Sequence, residues 1–237
     1  MKKAAVVVLI VFIAIGGLLY YLWRQATLLP EWYQTGKEGA PDKSVVWYEK
    51  DMEAARAALE REIEDQLRRS ATRNGQVEVV LDENDANRLF ATLISENSAK
   101  YPYLTAVKAS KTRIRDGNLD FGVVVDASEI LKNVPEQGAE EARPETAPLS
   151  GLLQEREVSL GFTGKLETKD GHLQPDEEGK IRIGGLTFSL KTIAKRLNIS
   201  EDKLKGNLKD FQVGKLKIDT IKPGRNTLLL KGALPPS

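Results

Sequence analysis

From Ala4 to Trp23 the chain runs for 20 residues without a charge, directly after Lys2 and Lys3. At about 1.5 Å of rise per helical residue that run spans roughly 30 Å, the thickness of a bilayer's hydrocarbon core. It is too long for the apolar region of a cleaved signal peptide, and no small-x-small pattern precedes Arg24. Ala4, Leu9, Phe12 and Leu18 lie within the apolar stretch. Tyr20, Tyr21 and Trp23 close it with amphipathic rings, placed where an aromatic belt meets water. The pattern predicts an uncleaved, single-pass transmembrane helix over residues 1–24.

Beyond the anchor the spacing changes. Residues 25–43 carry Pro30, Gly36, Gly39 and Pro41 and are expected to be an irregular juxtamembrane linker. From Ser44 to Arg69, Val45, Tyr48, Met52, Ala55, Leu59, Ile63 and Leu67 recur every three or four residues, which predicts a helix. Val77, Val79 and Leu81 then alternate as a strand. Asp82 is placed to cap a second helix that buries Ala86, Leu89, Phe90, Leu93 and Ile94.

Three hairpins follow. Asp116-Gly117 lies between extended runs at 104–115 and 119–126, and Gly tolerates the positive φ such a turn requires. In the return strand Leu119, Phe121, Val123 and Val125 face one way, and Asp120, Gly122 and Asp126 the other. A second hairpin turns at Asp170-Gly171, where Gly184-Gly185 shifts the parity of the return as a bulge or bend would. The third folds around Pro223-Gly224. Residues 128–133 and 191–197 allow short helices, and the acidic, Pro-rich stretch 135–148 is expected to be a disordered loop. The predicted fold class is α+β: a curved antiparallel sheet of β-hairpins over residues 44–237, with short amphipathic helices packed on one face.

Charge adds a direction and an asymmetry. Lys2 and Lys3 outweigh the diluted basic flank after Trp23, so the amino terminus is expected in the cytoplasm and the bulk of the chain outside it. Residues 24–179 hold 20 basic and 30 acidic side chains, whereas residues 180–237 hold 13 and 4. Lys203, Lys205, Lys209, Lys215 and Lys217 are therefore candidates for a face that meets an anionic partner. The same lysines equally suit a solvated strand edge, where they discourage aggregation. No aromatic interleaving accompanies them, so nucleic acid is not expected as a partner.

Candidate chemistry is sparse. With no Cys and the single His172 after a turn, soft-metal sites and a Ser-His-acid triad lose their usual members. Asp82 to Asn87 departs from a calcium loop at the sixth position, Asn87, and at the twelfth, Leu93. Gly161-Phe162-Thr163-Gly164-Lys165 lacks the spacing of a phosphate-binding loop. No catalytic residue, metal or cofactor is expected, and the chain is not read as an enzyme.

The anchor, the run Leu81-Asp82-Glu83-Asn84-Asp85-Ala86-Asn87-Arg88-Leu89, the repeated strand–Asp-Gly–strand units and Lys180-Ile181-Arg182-Ile183-Gly184-Gly185-Leu186-Thr187-Phe188 together resemble the YpmS-like family of single-pass bacterial membrane proteins. The resemblance implies an anchored extracytoplasmic domain and supplies no catalytic residues. Together these features lead to the expectation of a membrane-anchored binding or scaffolding domain for a lipid or envelope component. The alternatives are a partner-binding or regulatory subunit of a membrane protein complex and, less favoured, an envelope hydrolase.

Overall fold

The structure is a computed structural model. It describes residues 21, 23–37, 44–69, 76–133, 156–169, 172–176, 178–197, 212–213 and 216–233. Most of the expected anchor (Ala4, Leu9, Phe12, Leu18 and Tyr20 included), the 135–148 loop, Lys203, Lys205, Lys209 and Lys215 lie outside these residues, as does the side chain of Lys217. Among the described residues no helix is long and apolar enough to cross a membrane.

The architecture is α+β with antiparallel sheets. The helices are α1 (Glu31–Lys37), α2 (Met52–Arg69), α3 (Glu83–Asn97), α4 (Ala127–Asn133) and α5 (Leu190–Leu197), with a 3-10 turn at Pro102–Ala106. Six strands form the larger sheet: β1 (Val45–Trp47), β3 (Val107–Arg115), β4 (Asn118–Asp126), β5 (Glu157–Gly164), β8 (Lys180–Ile183) and β9 (Leu186–Ser189), in that order. The second sheet runs β10 (Gln212–Val213), β11 (Leu216–Pro223), β12 (Leu228–Ala233), β2 (Gln76–Leu81), and β6 (Leu166–Lys169) pairs with β7 (His172–Pro175).

The core fills the space between the two larger sheets. Leu59 and Ile63 of α2 and Ala86, Leu89 and Leu93 of α3 meet Val77, Val79 and Leu81 of β2. Ile114 and Leu119 join them from the first hairpin, and Ile218, Ile221, Leu228 and Leu230 from the last. Phe90 and Phe121 add an aromatic contact at 5.2 Å between centroids. Burial of the larger of these side chains supplies about 1.5–3 kcal/mol each. Within this apolar layer Ser110 and Thr112 of β3 are fully buried, and Asn87 of α3 answers them: its side-chain oxygen accepts from both hydroxyls, at 3.2 Å each. Its amide nitrogen donates to the Ser44 carbonyl at 2.9 Å and to that of Ser110 at 3.2 Å, so the buried amide is satisfied.

Several expected elements take their places and others are revised. Asp82 caps α3, accepting from the Asp85 amide at 2.8 Å, and Glu83 reaches across to accept the Ile114 amide at 3.2 Å. The acids that resembled a calcium loop are thus occupied in capping and docking. The first hairpin turns at Asp116-Gly117, with φ of 50° and 78°.

The helix expected from Ser44 instead begins at Met52. Val45, Val46 and Trp47 are β-branched and aromatic and pair with Lys111, Ser110 and Ala109, and the Ala55 amide donates to the Asp51 carbonyl at 2.7 Å where the helix begins. The linker expected at 25–43 contains α1. Gly184-Gly185 is no bulge but the turn of the β8–β9 hairpin, with Ile183 paired to Leu186. One continuous sheet of hairpins is also replaced by two principal sheets, because β2 pairs along β12 from far away in sequence, Leu81 opposite Leu228 and Val77 opposite Gly232.

Candidate functional site: a cleft roofed by the N-terminal strap

The six-stranded sheet has two unlike faces. Side chains in register share a face, so the row Thr112–Phe121–Phe162–Ile181 points to the core side. The neighbouring row, Lys111–Gly122–Gly161–Arg182, points the other way, and so does the next, Arg113–Asp120–Thr163–Lys180. The outer face therefore carries two glycines side by side at its centre, with basic residues on the strands to either side.

Residues 23–37 cross this face as a strap. Contacts along its length hold it down. The Arg156 guanidinium lies over the Trp23 ring, 5.3 Å from its centre. The Gly185 amide donates to the Gln25 carbonyl at 2.7 Å. At the far end Tyr33, only 1% exposed, donates its phenol proton to Glu157 at 2.7 Å and stacks on Trp47 at 5.0 Å between centroids. Burial, and then the hydrogen bond to Glu157, raise the Tyr33 pKa well above its ordinary value, so the phenol stays a donor. Lys37 completes the clamp with an ion pair to Glu157 at 2.8 Å.

The strap seats on the β8–β9 turn because that turn has no side chains. Gly184 adopts φ +56°, and a Cβ there would lie 2.4 Å from the carbonyl oxygens of both Gln25 and Ala26. No real Cβ makes such a contact with backbone. At the centre of the face the fit is looser: a Cβ on Gly122 would meet the Trp32 ring at 3.7 Å.

Between strap and sheet a cleft of about 620 Å³ remains. Leu28, Leu29, Pro30, Glu31, Trp32 and Thr35 line it from the strap side, and Lys111, Arg113, Asp120 and Arg182 from the sheet. Arg182 pairs with Asp120 at 3.1 Å, and the same carboxylate oxygen accepts from the Thr163 hydroxyl at 3.1 Å. Arg182 lies flat across the floor, its guanidinium 2.9 Å from where a Gly161 side chain would begin. Among the described residues Arg113 has no ion-pair partner, and no group of three His, Asp or Glu side chains is arranged to hold a metal ion.

A second hollow of about 480 Å³ lies at the Tyr33 end of the strap, where Lys37, Lys50 and Lys108 face Glu49, Asp126 and Glu157. Its charges balance, and Lys37 and Glu157 are consumed by the clamp.

The residues singled out from sequence contribute unevenly to this site. Trp23 joins it as a clamp, and Tyr21 stands exposed just before it. His172 belongs to β7, paired with Lys169 away from the cleft sheet. Lys111, Arg113 and Gly122 carried no motif, Gly161 belonged only to a stretch that departs from a phosphate-binding loop, and Arg182 only to the run 180–188. Their one signal was the polar side of the alternating hairpin, seen as Asp120 and Gly122 opposite the apolar set. Comparison with protein-family models, curated proteins and solved structures finds no match for this chain.

Proposed function

We propose that the chain is a membrane-anchored, extracytoplasmic binding domain that takes a lipid or envelope component in the cleft beneath its strap. The supporting observation is the clamp. The strap begins at Trp23, where the apolar run ends, and is fixed to the sheet through Arg156, Gly185 and Glu157. An anchor that continues into a clamped strap holds the cleft within a few residues of the bilayer surface. Tyr21 and Leu28, 56% and 43% exposed, lie on that approach and suit an interfacial setting.

Native mass spectrometry of the full chain, released from its own membranes in mild detergent, tests the reading. Retained lipid or envelope material is the expected result. A bare chain with a stoichiometric protein partner in crosslinked membranes would favour a regulatory subunit instead. Sidedness is tested separately, because the chain has no Cys and a single introduced one reports alone. Tyr103→Cys, at a side chain 44% exposed, should react with a membrane-impermeant maleimide on intact cells. Reaction only after lysis would reverse the orientation.

A further inference from the structure

Resting on that binding-domain reading, the geometry points to the ligand's chemistry: the cleft takes a phosphate group, carried on a membrane lipid headgroup, between Arg113, Lys111 and Arg182.

Charge favours an anion. Three cationic side chains line the cleft from the sheet against two carboxylates, Glu31 on the strap and Asp120, which already accepts from Arg182 and Thr163. Arg182 spends one of its five N–H donors on that pair and is held in place by it. Arg113, on the strand beside Asp120, has no ion pair among the described residues.

Shape favours a group set on the sheet itself. Lys111 and Arg182 stand in one register row, separated by Gly122 and Gly161. With strands about 4.8 Å apart, their backbones are roughly 14 Å apart, close enough for two long side chains to reach a group between them. Phosphate offers several oxygens to forked guanidinium donors approaching from different strands, where a single carboxylate would satisfy one fork. The opposite wall is mostly apolar, made by Leu28, Leu29, Pro30 and Trp32 of the strap with Glu31 and Thr35 among them, and it leads back toward Trp23. A cationic floor under a mostly apolar roof suits an amphiphile whose tail stays in the bilayer.

Titration calorimetry of the full chain in a non-ionic detergent tests this with three probes: dihexanoyl phosphatidylglycerol, dihexanoyl phosphatidylcholine and inorganic phosphate. Phosphatidylglycerol should bind most tightly. Arg113→Gln should weaken it at least about tenfold, the scale of one lost charged hydrogen bond. Arg113→Lys should restore part of the loss, and Lys195→Gln on α5 should change nothing. Inorganic phosphate binding as tightly as phosphatidylglycerol would overturn the lipid assignment. Flat titrations, or binding unchanged in Arg113→Gln, would overturn the site. If a neutral lipid is retained in native spectra while these titrations are flat, the phosphate assignment falls and the binding-domain reading stands.

Discussion

Replacing Gly184 by Ala should release the strap while leaving the core intact. The residue sits at φ +56°, where an added Cβ costs about 1–2 kcal/mol for an L residue. The larger effect is steric. That Cβ would fall 2.4 Å from two backbone carbonyl oxygens, and backbone cannot swing aside as a flexible side chain would. The strap must lift, which removes the Gly185 to Gln25 hydrogen bond, worth about 1 kcal/mol. It also disturbs the Arg156–Trp23 stack, worth about 0.5–1 kcal/mol at an exposed site.

A combined shift of about 2.5–4 kcal/mol corresponds to a roughly 70- to 900-fold rise in local opening. Hydrogen exchange by mass spectrometry reads it directly: amides of residues 23–30 should exchange faster by that factor, while those of β2 and β12 should not change. Gly122→Ala is the internal control, since its Cβ would meet Trp32 at 3.7 Å, an ordinary contact. Equal protection of the strap in the Gly184 and Gly122 variants would refute the argument that the bare turn seats it.

Three further outcomes are expected. Gln66 uses its side-chain amide to accept the Val80 amide and to donate to the Val80 carbonyl, both at 2.7 Å, closing the open edge of β2. Gln66→Ala should therefore lose about 1–2 kcal/mol and self-associate with rising concentration in sedimentation runs; a stable monomer would contradict the assignment. Leu89→Ala, at a fully buried position of α3, should cost about 3–5 kcal/mol in denaturant unfolding, and a loss below about 1 kcal/mol would remove it from the core. Burial and then the charge of Asp82 raise the Asp85 pKa above its usual 3.8, against the opposing pull of Arg88. The folded state thus favours the protonated acid: this contribution is full below pH 3.8 and is lost as pH rises through the raised value. Asp85→Asn should abolish that component of the pH–stability curve, and an unchanged curve would assign the trend to other groups.

What the sequence made legible was local. Asp82 caps the helix it precedes, and Asp116-Gly117 turns between its own flanking strands, so a few adjacent residues carry each signal. Alternation also separated Leu119 and Val125 from Asp120 and Gly122 before any partner strand was known. The pairing of β2 with β12 was not legible, because nothing in Val77–Val79–Leu81 specifies Leu228 and Leu230 as neighbours. β1 was absorbed into a helical spacing because Val45 and the following Tyr48 happened to fit it, and its strand character came from β3. The cleft was hidden for the same reason as β2. Lys111, Gly122, Gly161 and Arg182 are unremarkable one by one and form a site only when three registers bring them into a single row. Gly184-Gly185 was noticed for its parity, but its use as a seat required the strap's position in space. The basic cluster from Lys203 to Lys217 drew attention by count alone, and the cations that line the cleft come from elsewhere.

The measurement that bears most directly on the central claim is the depth of the strap. A nitroxide at Leu28→Cys, in the full chain reconstituted into nanodiscs, reports its distance from headgroup-attached paramagnetic nickel lipids. Leu28 lies five positions after Trp23, so the label should lie within about 8–16 Å of the interface, given about 1.5–3.3 Å per residue. Strong relaxation by the nickel lipids is the expected result. Relaxation no greater than in a lipid-free detergent micelle would place the cleft away from the bilayer and contradict the account.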